Sequence, residues 1–175
     1  MDRIFRRFLE NTAADAVELQ RNSDVLAIEP LPPFPSSRYR CRFDVHYLRR
    51  LSAGTVAIEA GPVICSIRFP GDYLRPADSK LFIRVAAVQT SDFVHPNVLD
   101  GIVCLGTAFA PGTPIRGVVW QLFEIVTYQD RGCTVDERNA LNPEACRLLR
   151  AYPGLLAMMT RPRLYRPRRR DGVES

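Results

Sequence analysis

Lysine is almost missing from this chain. Of its 175 residues one, Lys80, is a lysine, against 23 arginines. A GC-rich genome favours arginine codons, which is the ordinary source of such a bias. Histidine is scarce too, with only His46 and His95. The five cysteines (Cys41, Cys65, Cys104, Cys133, Cys146) are odd in number, widely spaced and contain no CxxC pair. That spacing excludes the usual structural zinc ligand sets and argues against a disulfide framework, so reduced thiols, a cytoplasmic location and no metal are expected. No run of about 18 apolar residues is present, so no membrane span is expected. The opening MDRIFRRFLENTAAD mixes arginines with acids and has no apolar core before a small-residue cleavage site, so no secretory leader is expected. No internal repeat is visible.

What is present is an ordinary globular balance, 46% hydrophobic and 25% charged residues, enough for one core. Apolar residues Ile4, Phe5, Phe8, Leu9, Thr12, Ala13 and Ala16 recur at helical spacing, predicting a helix over residues 2–21 that stops at Asn22-Ser23. VLAIEPL (25–31) reads as a strand ended by PPFP. RYRCRFDVHYL (38–48) alternates, with Tyr39, Cys41, Phe43, Val45 and Tyr47 on one face and Arg38, Arg40, Arg42, Asp44 and His46 on the other. VAIEA (56–60) and VICSIRF (63–69) are either two strands or one passing Gly61-Pro62, and FIRVAAV (82–88) is the last strand. IRGVVWQLFEIVTYQ (115–129) predicts an apolar-faced helix. NPEACRLLRAY (142–152) predicts another, with Asn142 as N-cap and Pro143 at the first helical position. The fold class is therefore α+β: an N-terminal helix, a four-stranded antiparallel meander, a loop carrying a cysteine, then helices. Residues 1–155 form the expected domain and 156–175 a solvated, basic extension.

The motifs lie between the meander and the last helices. FPGDYLRP (69–76) precedes HPN (95–97), GIVCL (101–105), FAP (109–111) and LNPEA (141–145). In this order they resemble the ubiquitin-conjugating enzymes, over residues 2–152. The sequence departs from that family's pattern at Phe109, where tryptophan is usual, at Leu74, where proline is usual, and in a longer stretch between FPGDY and HPN. The arginine-rich, compact form resembles the bacterial members, which are encoded beside an activating enzyme, a ubiquitin-like protein and a JAB-type peptidase, some in antiphage defence.

The resemblance implies a cysteine acyl carrier. Cys104 would accept the C-terminal acyl group of a ubiquitin-like protein from an activating enzyme as a thioester, then pass it to a lysine amine of a target. Asn97 would stabilise the oxyanion or brace the cysteine loop, and His95 and Pro96 would shape the turn. Arg3, Arg6 and Arg7 on the first helix would dock the activating enzyme. Asp136, Glu137 and Asn139 fall where the family places an acid that favours an uncharged amine. No cofactor is implied for this chain, since ATP serves the activating enzyme. Cys133, in a loop without a motif, is the rival acceptor. With one lysine, a chain carrying an amine-reactive thioester would be spared self-modification. Competing readings are a Cys-His hydrolase pairing Cys104 with His46 or His95, and a non-catalytic scaffold of the same fold that binds a ubiquitin-like partner. Nucleic-acid binding through the arginines of 161–170 is not expected, because that tail has one aromatic, Tyr165, and no reading module.

Overall fold

In the computed structural model the described residues are 2–52, 54–75, 85–106, 110–129, 137–138 and 140–165. The first helix, α1 (Arg3–Arg21), begins where the Asp2 carboxylate accepts the Ile4 N–H at 2.9 Å and ends at Asn22. Its inward face is Phe5, Leu9, Thr12, Ala16 and Leu19, and the Thr12 hydroxyl donates to the Phe8 carbonyl at 2.7 Å. Ile4 departs from the expected pattern. It is 70% exposed, because it sits on the first turn beside Arg3 and Arg7, outside the stripe that meets the sheet.

The sheet has six strands in the order β1-β2-β3-β4-β6-β5, every neighbour antiparallel: β1 (Leu26–Leu31), β2 (Arg38–Ser52), β3 (Thr55–Arg68), β4 (Ala86–Val88), β5 (Val98–Leu99) and β6 (Ile102–Val103). The four-strand meander is thus extended by a hairpin where sequence suggested only a loop. In β2 the alternation holds as read: Tyr39, Cys41, Phe43, Val45 and Tyr47 are buried, while Arg38, Arg40, Arg42 and Asp44 are exposed. The question left open at Gly61-Pro62 is answered by a single strand, β3, that runs straight through. Pro62 lies opposite Asp44, whose N–H donates instead to Val25 on the β1 side at 2.9 Å. That pair exchanges no ladder bond, so the missing proline N–H costs the β2–β3 ladder nothing. Of the expected fourth strand, residues 82–84 lie outside the described residues.

After the sheet come α2 (Ile115–Val126), α3 (Pro143–Ala151) and the single turn α4 (Leu155–Met158). Helix α2 stops three residues short of the expected 129. Thr127 turns its hydroxyl back to the Phe123 carbonyl, and Tyr128 takes a left-handed φ of 56°. The main core lies between the inner sheet face and helices α1 and α2, with Tyr39, Phe43, Ile67, Phe69, Tyr73, Val118 and Leu122 among its members. Arg116 clamps the two helices together through Asp15 at 2.9 Å and through Glu18. A second cluster, Leu48, Val56, Val94, Tyr128, Leu148 and Leu149, lies where α3 packs over the far end of β2 and β3.

The packed body runs past residue 155. Met159 is buried in the second cluster and Leu164 in the main core. Gln129 donates to the Pro162 carbonyl at 3.1 Å, and the Tyr165 ring stacks on Trp120 at 5.7 Å. Residues 156–165 are therefore anchored by their apolar members, contrary to the solvated extension that their charge suggested. Residues 166–175 lie outside the described residues.

Candidate functional site

The segment 93–104 is built by two turns and a brace. After β4 the chain crosses to the end of β2, where the Val94 N–H bonds the Leu48 carbonyl at 3.0 Å and the Arg50 N–H bonds the Asp92 carbonyl at 2.8 Å. His95 then opens the first turn. The Val98 N–H returns to the His95 carbonyl at 3.1 Å, and the Asn97 N–H donates to the His95 Nδ1 at 2.9 Å. An acceptor Nδ1 fixes the neutral imidazole with its proton on Nε2. The buried ring lies 4.8 Å from that of Tyr128, whose hydroxyl donates to the Val94 carbonyl. His95 is thus a turn residue with its Nδ1 committed.

The second turn is Asp100-Gly101. Both residues have positive φ, 50° and 78°, the pattern of a two-residue turn whose twist matches its strands. Gly101 is required twice over. Besides its φ, a Cβ there would lie 2.8 Å from the Val88 carbonyl oxygen, and the Gly101 carbonyl itself accepts the Val88 N–H at 2.7 Å. This hairpin sets Val98 opposite Val103 and Leu99 opposite Ile102. The next rung is the Cys104 N–H donating to the Asn97 carbonyl at 2.9 Å. Cys104 therefore stands across from Asn97, and directly opposed residues hold their Cβ atoms about 5 Å apart. Alternation turns Val103 and Leu105 into the core and Cys104 away from it. Leu99 and Ile102 are 40% and 42% exposed.

The thiols divide by environment. Cys41, Cys65 and Cys146 are buried, whereas Cys104 is partly exposed. Burial pushes the Cys41 and Cys65 thiols well up from their ordinary value, so in the folded protein they are poor nucleophiles. Cys133 lies outside the described residues.

Asn142 is the residue whose reach sequence reasoning missed. Its side-chain Oδ1 caps α3 by accepting the Ala145 N–H at 3.1 Å, the role its position indicated. Its backbone N–H also donates to the Pro96 carbonyl at 2.8 Å, and its side-chain amide to the Val98 carbonyl at 2.9 Å. One asparagine thus fastens the HPN turn and the edge strand to the last long helix. The cap was legible from Asn-Pro-Glu; the two distant contacts, the one to Val98 across 44 residues of chain, were not.

The remaining candidates are spread out. Arg3, Arg6 and Arg7 are exposed on α1, with Arg6 pairing with Glu10 at 3.1 Å. Glu137 is held by Arg147 at 3.1 Å and by Arg150, so its charge is already matched by α3. Asp136 and Asn139 lie outside the described residues. His46 sits on β2 with its Nδ1 2.6 Å from the Thr160 hydroxyl. Among the described residues no group of three or more histidines, cysteines or carboxylates could hold a metal ion, and no helix is long and apolar enough to cross a membrane. No protein-family model matches the chain, and no curated protein matches it.

Proposed function

We propose that the protein is a ubiquitin-like conjugating enzyme with Cys104 as the acyl acceptor. The observation that carries this reading is the hairpin end, where a partly exposed thiol faces the asparagine of an HPN turn that is itself anchored to α3. The α+β order of helix, antiparallel sheet and C-terminal helices supports it.

The chemistry asks little of the protein. The Cys104 thiolate attacks the carbonyl carbon of a thioester on an activating enzyme and forms a tetrahedral oxyanion. That intermediate collapses with loss of the activating enzyme's thiolate, leaving the acyl group on Cys104. An uncharged lysine amine of a target then attacks the same carbonyl. An amide forms, Cys104 leaves as thiolate, and the amine's proton goes to solvent. A thioester is already activated, so reach and positioning suffice. Asn97, paired across from Cys104, supplies its side-chain amide as the oxyanion donor in this reading, a contribution of about 3 kcal/mol when such a donor is well aimed. Arg3, Arg6 and Arg7 form the docking face for the activating enzyme, steering it by charge. The partners are the activating enzyme and ubiquitin-like protein of neighbouring genes, in a bacterial defence set that includes a JAB-type peptidase.

The deciding experiment is charging. The protein is mixed with ATP and those two partners and run on a non-reducing gel. A band shifted by one partner mass, lost with thiol reductant and in Cys104→Ala, is expected. A charged activating enzyme with no transfer would replace this reading with a non-catalytic scaffold. A band surviving Cys104→Ala would move the acceptor to Cys133.

A further inference from the structure

The solvent face of the sheet carries an arrangement that neither folding nor Cys104 accounts for. Arg38 on β2 and Arg68 on β3 are directly opposite one another in the antiparallel ladder, and both are exposed. Like charges set face to face across a ladder are destabilising. Arg40, two residues along the same face of β2, adds a third arginine whose Cα lies about 7 Å from that of Arg38. Its partner Glu29 stands 3.4 Å off, with both groups more than half exposed, a contact weak enough to be exchanged for a better anion. Arg38 gives one N–H to the Pro32 carbonyl, which ties the loop 32–37 beside this cluster and leaves its other donors to face solvent. That loop presents Phe34, 70% exposed. Ser36 holds the loop in shape from a buried position, its one hydroxyl proton set between the Leu31 and Arg38 carbonyls while its oxygen accepts the Arg38 N–H at 3.0 Å.

We infer that this face binds single-stranded nucleic acid, with Arg38, Arg40 and Arg68 on consecutive phosphates and Phe34 stacked on a base. Guanidinium forks match phosphate oxygens, and an exposed aromatic beside a basic groove is how strands without sequence preference are held. The repulsion between Arg38 and Arg68 is relieved by an anion between them. A polyglutamate peptide would satisfy the arginines but offers no ring to stack on Phe34. The site is independent of Cys104, so it stands or falls apart from the proposed conjugation.

The test is fluorescence anisotropy with labelled dT20 and rU20 oligonucleotides over a range of salt, using the full chain. Binding is expected to weaken with salt, the slope of log K against log salt falling by about 0.7 for each phosphate contact removed. Arg68→Glu replaces the repelling pair with an attracting one. It is therefore expected to lower affinity about tenfold while leaving the melting temperature unchanged or raised. Phe34→Ala, which removes no charge, is expected to lower affinity about tenfold with the salt slope unchanged. Arg40→Gln provides a second charge variant should Arg68→Glu fold poorly. The inference is overturned by absence of binding at low salt, by affinity untouched in these variants, by binding lost only on deleting residues 161–175, or by a polyglutamate peptide binding where the oligonucleotides do not. Cys104→Ala is expected to bind as tightly as the parent.

Discussion

Asn142 bonds atoms of three segments, and substitutions at this one position separate those bonds. Asn142→Ala removes the cap of α3, about 1 kcal/mol, and leaves the Val98 carbonyl without its donor in a buried setting, about 1–3 kcal/mol more. The sum is about 3 kcal/mol, a loss of about 6–12 °C in melting temperature for a chain of this size. Asn142→Ser keeps a capping oxygen but is too short to reach Val98, so it should lose only the second part, about 1–3 kcal/mol. The backbone bond to the Pro96 carbonyl survives in both. Urea denaturation gives the stability, and the rate of iodoacetamide labelling at Cys104 gives the mobility of the hairpin. Both variants should label faster than the parent if α3 holds the hairpin still. Should Asn142→Ser prove as stable as the parent and label at the same rate, the side-chain bond to Val98 contributes nothing, and the hairpin is held by its core residues and the surviving backbone bonds.

Gly101→Ala forces a side chain into a left-handed φ and against the Val88 carbonyl at 2.8 Å, so urea melts should show a loss of at least about 2 kcal/mol. A loss under about 0.5 kcal/mol would refute that geometry. Limited alkylation followed by peptide mapping should label Cys104 before Cys41, Cys65 or Cys146, which become reactive only on unfolding. Equal labelling of Cys41 would contradict its burial. The buried Tyr39 hydroxyl has no hydrogen-bond partner among the described residues, and burial pushes its pKa up to about 12. The folded state therefore holds this proton more tightly than the unfolded chain. Stability from Tyr39 is full below pH 10 and falls between pH 10 and 12 by up to about 1.4 kcal/mol per pH unit. Tyr39→Phe should match or exceed parental stability at pH 7 and flatten the alkaline loss, read from urea midpoints at pH 7 and 11; an unchanged alkaline slope would exclude Tyr39 as its source.

The elements were legible wherever period and punctuation agree. The alternation of residues 38–47 gave β2 its faces, Asn22 closed α1, and Asn142-Pro143 opened α3, because each of these depends on neighbours within a few residues. Ile4 and the last turn of α2 were misread for the same reason. An apolar residue at the right period still needs a surface to meet, and Tyr128 leaves the helix to bond Val94, 34 residues away. The basic composition of residues 156–175 as a whole hid Met159 and Leu164, whose burial depends on where the core is open rather than on the charge of the segment.

For the candidate site, the motifs alone name the residues that can do chemistry: the cysteine of GIVCL, the asparagine of the HPN before it, and a fold class able to hold them. The inward face of Cys41 was already written in the alternation of β2, but packing was needed to set Asn97 opposite Cys104 and to let Asn142 fasten the pair to a helix. Cross-strand register and distant contacts are set by which segments pack together. That choice is made by the whole core and is written in no local stretch of the chain.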